Sequence, residues 1–274
     1  MADVCGKQRV PVQTSAVVVL TDSARPAVPP PSPPSDSPTR TEEPCTPIEE
    51  FSLDDGDGVA AQRKARLANG WRVLDAEAVA LRNLATLYDT DEAAQEHFSN
   101  AVEAIVTSRR SGAKLVVTGV GKSGHIGRKL VATFQSLGIA TVFLHPTEAL
   151  HGDLGLLGPN DTVLLISFSG KSPELLQLVP YLGPSLRLVA LTSHRRSEDC
   201  ELLRARPDGL LLPAPIPEPE KAALGVSAPT TSTTVTLALG DALAMAVAKE
   251  LHADIATVFA ANHPGGAIGA ATKQ

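Results

Sequence analysis

Aromatic residues are scarce in this chain, at 3% of 274 positions. A protein that holds nucleic acid by stacking bases on aromatic side chains needs more than six Phe, two Tyr and one Trp spread over such a length. Positive charge is short as well. Lys and Arg number 24 against 30 Asp and Glu, a formal charge of −6, which leaves no footprint for a phosphate backbone. Nucleic acid is therefore excluded as a partner, and any anion must be held locally by a few placed groups. Three cysteines (Cys5, Cys45, Cys200) are too few and too scattered for a disulfide framework or a Cys-rich zinc site, which favours a reducing compartment. The longest apolar run near the start, Ala16 to Leu20, is too short for a signal-peptide core. No run elsewhere approaches the ~18 residues of a membrane span. The expectation is a soluble, cytoplasmic protein without a membrane partner.

What the chain does contain divides it in two. Residues 1–58 hold ten of the 22 prolines, nine of them between Pro26 and Pro47, with Ser, Thr and acidic residues in the gaps. So little apolar surface does not offset the entropy of ordering the backbone, and the stretch reads as a disordered tail with polyproline segments. Docking through Pro29–Pro34 is the functional alternative to a passive extension. From residue 59 the texture is that of a folded domain. Helical spacing of apolar residues marks Ala60–Leu87 and Asp91–Ser108. Short apolar runs then alternate with helical stretches. Strands are expected at Lys114–Thr118, Ala140–Leu144, Thr162–Ser167, Leu186–Thr192 and Gly209–Leu212. Helices are expected at Ile126–Leu137, Pro173–Leu182, Ser197–Ala205, Thr230–Leu251 and Asp254–Ala261. Strands this apolar, separated by helices, describe an α/β protein with a parallel sheet covered on both faces.

In such sheets ligands sit beyond the carboxyl ends of the strands. Four loops there carry chemistry. Gly119-Val120-Gly121-Lys122-Ser123-Gly124 fits the glycine pattern of dinucleotide folds. The acid expected at the end of the next strand is replaced by His145-Pro146, so a nicotinamide-dependent oxidoreductase is set aside. The nucleoside-triphosphate loop fails too, because Val116 stands where its first glycine belongs. A glycine turn remains, with Gly121, Lys122 and Ser123 offering N–H groups and an ammonium at a helix start, which suits a small anion or a developing oxyanion. A packing turn with a solvated lysine is the plain alternative. The second loop, His145 to Asp153, holds His145 and His151, which suit proton transfer, while no zinc-ligand spacing is met. The third, Ser167-Phe168-Ser169-Gly170-Lys171-Ser172-Pro173-Glu174, reads as a neutral phosphate cradle, with Ser172 as N-cap and Pro173 as first helical residue. Glu174 equally suits a helix first turn. The fourth holds Glu218 and Glu220, then Thr230 to Thr234. Five consecutive hydroxyls exceed what capping requires, so Ser232, Thr233 and Thr234 become candidates for a sugar's polyol or the remaining phosphate oxygens. Near the C-terminus, His263 stands in a Gly/Pro turn.

Five stretches together, Gly121–Lys129, His151–Gly155, Ser167–Gly170, Ala228–Thr234 with Gly240–Leu243, and His263–Ala267, closely resemble the arabinose-5-phosphate isomerases of the sugar-isomerase (SIS) domain family. The likeness runs from about Trp71 to Gly269 in the family's order. It implies a three-layer α/β/α sandwich with a five-stranded parallel sheet, and reversible conversion of D-ribulose 5-phosphate to D-arabinose 5-phosphate. It also implies a homo-oligomer, dimer or tetramer, whose neighbours help complete each site. Carried over by position, Lys122, Glu174, Glu220 and His263 match catalytic residues and His151 a substrate contact. His145 matches a histidine that binds substrate or a zinc not required for turnover, so no cofactor is required. The chain departs from the family in three places. Lys171 replaces an acid after the Ser-x-Ser-Gly turn. A longer Glu220–Pro229 loop makes Glu218 compete with Glu220 for the aligned position. The chain ends soon after Gly269, without the paired regulatory domains many relatives carry. A non-catalytic sugar-phosphate sensor is the competing function. The histidines and Glu174 favour an enzyme, because sensing needs no proton-transfer groups.

Overall fold

Leu115-Val116-Val117, Val163-Leu164-Leu165 and Leu188-Val189-Ala190 are apolar at every position, so strands built from them need cover on both faces. A computed structural model, which describes residues 56–265, provides that cover. All of these residues lie in the compact unit Leu53–Gln274. The proline-rich stretch, except for its last residues, and everything beyond Gly265 lie outside the described residues. Two helices come first, α1 (Gly56–Thr90) and α2 (Glu92–Arg110). The Asp91 side chain accepts from the Ala94 N–H at 3.0 Å and starts α2.

The sheet then follows as β1 (Leu115–Gly119), β2 (Thr141–Phe143), β3 (Thr162–Ile166), β4 (Arg187–Thr192) and β5 (Leu210–Pro213), all parallel, in the order β2-β1-β3-β4-β5. Alternate residues serve opposite layers. Leu115, Val117, Leu164, Ile166, Val189, Leu191 and Leu212 join a core shared with α1, α2, α3 (Gly121–Ser136) and α8 (Thr231–Leu251). Val116, Val163, Leu165, Leu188, Ala190 and Leu211 join a second core with α4 (Pro146–Leu150), α5 (Pro173–Leu178) and α6 (Glu201–Arg204). The expected three-layer α/β/α sandwich is the observed one. Two further helices, α7 (Glu220–Leu224) and α9 (Ile255–Asn262), flank α8. Among the described helices, only α8 is long and apolar enough to cross a membrane, and over half of its apolar window is buried. Val235, Leu239, Leu243 and Val247 are among the residues it buries.

Boundaries differ from the expectation where local chemistry intervenes. Helix α1 starts at Gly56, four residues ahead of the expected start of its helical spacing at Ala60. Helix α3 starts at Gly121 instead of Ile126, because Lys122, Ser123 and His125 face solvent and leave no apolar signal. The stretch Pro173–Leu182 yields to a 3-10 turn at Val179–Tyr181, since Pro180 lacks the N–H that an α-helix would use. Ser197–Ala205 likewise splits into a 3-10 turn, Ser197–Asp199, and the single turn of α6.

Candidate functional site

Strand order reverses between β1 and β3, whose ends pair Gly119 with Ile166. A crevice opens where successive connections leave to opposite sides of the sheet, so this is where a ligand is expected. The glycine turn and the serine turn flank it. Glycine at 124 makes the first turn possible, because a Cβ there would stand 2.8 Å from the Gly119 carbonyl oxygen. Gly121, Lys122 and Ser123 therefore form the opening turn of α3 instead of a free loop, and the N-cap Val120 offers no side-chain acceptor to their amides. Lys122 is exposed and enters no ion pair among the described residues.

The serine turn is closed by its own bonds. The Ser167 and Ser172 hydroxyls meet at 2.8 Å, the Gly170 N–H donates to the Ser167 carbonyl at 3.0 Å, and the Lys171 N–H donates to Ser169 Oγ at 3.3 Å. Ser172 is the N-cap of α5 by backbone shape, but its hydroxyl serves Ser167 instead of capping. The Ser169 and Ser172 amides find no acceptor among the described residues, so both are available to an anion. Glu174 is half-buried in the first turn of α5 and enters no ion pair there.

The expected histidine loop is largely a single helical turn, α4. His145 is its N-cap, with Nδ1 accepting from the Thr147 N–H at 3.3 Å. His151 closes the turn and is exposed. Among the described residues, no three His, Cys, Asp or Glu side chains gather to hold a metal.

The fourth region is organised around Glu220. Its Oε1 accepts from the Thr230 N–H at 2.7 Å, the Ser232 N–H at 3.0 Å and the Ser232 hydroxyl at 2.7 Å. Glu220 thus caps α8 across ten residues of chain, which satisfies amides left open by the helix end. Thr233 Oγ1 donates to the Thr230 carbonyl at 2.7 Å. In this conformation Ser232 and Thr233 are spent inside the protein. Thr234, half-buried, makes no side-chain hydrogen bond to the described residues, and the Thr230 hydroxyl is buried without a partner there. Glu218 is parted from Glu220 and lines a groove of about 370 Å³ with Trp71, Arg72 and Val79 of α1.

His263 is at the far end of α3, away from the carboxyl ends of the strands. Its Nε2 meets Ser136 Oγ at 3.3 Å, its Nδ1 meets the Phe259 carbonyl at 2.8 Å, and its ring stacks on Phe259. Ser136 ends α3 and Lys122 begins it, and fourteen helical steps of 1.5 Å separate them by roughly 21 Å. A single chain therefore brings Lys122, Glu174, the serine turn and the Glu220 clasp to the carboxyl-end side of the sheet and leaves His263 behind.

The four-loop reading also passed over the loop after β4, which lies beside the serine turn. Thr192 Oγ1, Ser193 Oγ and the Ser193 N–H all donate to the Phe168 carbonyl, at 3.1, 2.7 and 2.9 Å. His194 Nε2 lies 2.9 Å from the Ser169 carbonyl. The signal that could have found His194 is its place directly after a central strand.

The SIS domain family model matches residues 109–197. An arabinose 5-phosphate isomerase, KdsD of Yersinia pestis, is 44% identical over 184 residues, which are 67% of this chain and 53% of that protein. The chain thus spans about half the length of the curated relatives it matches. A Bacteroides fragilis protein described as a candidate phosphosugar isomerase involved in capsule formation superposes with a TM-score of 0.62 at 36% identity, covering 73% of this chain and 98% of that one. The c3406 protein of Escherichia coli CFT073, solved in complex with arabinose 5-phosphate, gives 0.61 at 32% identity, over 73% and 98% of the respective chains.

Proposed function

The chain belongs to the SIS domain family, and from that premise we propose that it is an aldose–ketose isomerase interconverting D-arabinose 5-phosphate and D-ribulose 5-phosphate through a cis-enediol. One observation carries the reading: a lysine turn and a serine turn stand side by side at the reversal of strand order, in a chain similar to KdsD enzymes and to a protein solved with arabinose 5-phosphate.

The phosphate belongs in the Ser167–Ser172 turn, where the hydroxyls of Ser167, Ser169 and Ser172 and the free amides replace its water. Gripping that end orients the distant carbons and converts binding energy into positioning. Lys122, with the Gly121–Ser123 amides, stabilises the oxyanion of the enediolate. Glu174 takes the proton from C2 of the aldose and returns it to C1, which leaves the ketose. His151 assists ring opening and moves protons between the sugar oxygens, and His145 contacts the substrate.

His263 reaches the site from a neighbouring copy. The separation along α3 supports a homo-oligomer, dimer or tetramer. So does the outer face of α1, where Leu67, Trp71 and Leu74 are 65%, 63% and 68% exposed. Such residues lose little by leaving water for a second subunit. Cytoplasmic residence and the division of the chain at its proline-rich end, read as a passive extension, belong to the same proposal.

Purified protein incubated with ribulose 5-phosphate is expected to yield arabinose 5-phosphate. Binding of the pentose phosphate without any turnover would replace the enzyme by a sensor.

A further inference from the structure

The peptide between Ser169 and Gly170 is held from both sides. Its N–H donates to the Ser167 carbonyl at 3.0 Å, and its carbonyl faces His194 Nε2 at 2.9 Å. In a trans peptide these two groups point in opposite directions, so the two bonds fix one orientation of the plane. Rotation of that plane is otherwise easy, because residue 170 is a glycine at φ +63°. A flipped plane would turn the Ser169 carbonyl toward the Ser167 carbonyl and replace the bond that closes the turn with a repulsion between two acceptors. A carbonyl has no proton to give, so Nε2 of His194 must carry the hydrogen. The ring also packs against Gly170. A Cβ there would stand 3.0 Å from His194 Cδ2 and 3.1 Å from the buried Cys200 Sγ.

We propose that His194 is a positioning residue for the sugar phosphate, holding the Ser169 carbonyl so that the Gly170 N–H stays bonded to the Ser167 carbonyl and the closed serine turn keeps its hydroxyls placed for the substrate. The Phe168 carbonyl is restrained in the same way by Thr192 and Ser193, which turns the Ser169 N–H outward. The role rests on the reading of Ser167–Ser172 as the phosphate site. It adds a residue from β4's loop to a site otherwise built from the loops of β1, β2, β3 and β5.

The test compares His194→Leu, which removes the donor, with His194→Gln, whose amide nitrogen reaches about as far as Nε2. Two readouts are taken on the full chain: steady-state kinetics with arabinose 5-phosphate, and amide hydrogen exchange of residues 168–172 without substrate. Loss of one uncharged hydrogen bond predicts a KM raised roughly 3- to 10-fold in His194→Leu. The kcat should stay within about twofold, since the group acts on binding and not on the reacting carbons. Exchange at Gly170 should quicken, and His194→Gln should restore both readouts most of the way. Unchanged exchange and KM in His194→Leu would overturn the role of His194 alone. Faster exchange with an unchanged KM would overturn the phosphate assignment of the turn, and the proposal with it. Equal losses in the Leu and Gln variants would show that the ring packs without positioning. Should His194→Leu not fold, His194→Asn, polar but too short to reach, takes its place under the same criteria.

Discussion

If Lys122 and His263 act in one site from two chains, two dead variants should repair each other. Lys122→Ala removes the oxyanion partner, at a cost of roughly 10²–10³ in turnover if the ammonium supports developing charge. His263→Ala is expected to be inactive for want of proton transfer. In a single chain the two side chains are fixed at opposite ends of α3, roughly 21 Å apart by helical rise, and no rotamer spans that distance. In a mixed dimer, one site therefore receives an intact lysine and an intact histidine, while the other receives neither. Random pairing of equal amounts makes half of the dimers mixed, so about a quarter of wild-type activity should return. The assay is formation of arabinose 5-phosphate after the variants are co-expressed, or unfolded and refolded together. Each variant refolded alone is the control. A mixture no more active than its components would refute the shared site, and a fully active His263→Ala would remove that histidine from the chemistry.

Three further expectations follow from the geometry. Glu220→Ala strips the acceptor from two amides and one hydroxyl at the start of α8, which should cost about 2–3 kcal/mol and lower the melting temperature by roughly 5–10 °C. The exposed Glu218→Ala should melt as wild type, and a Glu220 variant that loses turnover without melting earlier would return that carboxylate to the chemistry. Glu174→Gln should still bind arabinose 5-phosphate in calorimetry while exchange of the C2 proton with solvent stops; continued exchange would name another base. Burial pushes the Asp161 carboxyl up, but the Lys114 ammonium at 2.6 Å and the Lys114 and Gly158 amides outweigh it and hold the group below its ordinary value of about 3.8. That contribution to stability is complete above the unfolded pKa and is lost as the pH falls through the folded one. Urea midpoints should therefore stay level on Asp161's account from neutrality to about pH 5 and drop below about pH 4, and Asp161→Asn should remove part of that drop.

Much of the architecture is legible in single residues. Val235, Leu239, Leu243 and Val247 repeat at helical spacing and are the buried stripe of α8, and the unbroken apolar strands announced a sheet covered on two faces. Helices α4 and α7 were not legible. Each is five residues long, too short for a periodic pattern. Glu220 was legible as an acid near a site, but not as the cap of a helix that begins eleven residues later.

The sequence by itself determined the alternation of strand and helix, the glycine turn after β1 and the serine turn after β3, because those depend on side-chain polarity and backbone freedom within a few residues. Only the tertiary structure decided which turns become neighbours. Parallel strands ordered β2-β1-β3-β4-β5 bring the lysine and serine turns together and set His194 beneath the latter, while α3 runs to the opposite end of the strands, where His263 meets it. Strand order is a property of the assembled sheet, and no local stretch of chain encodes it.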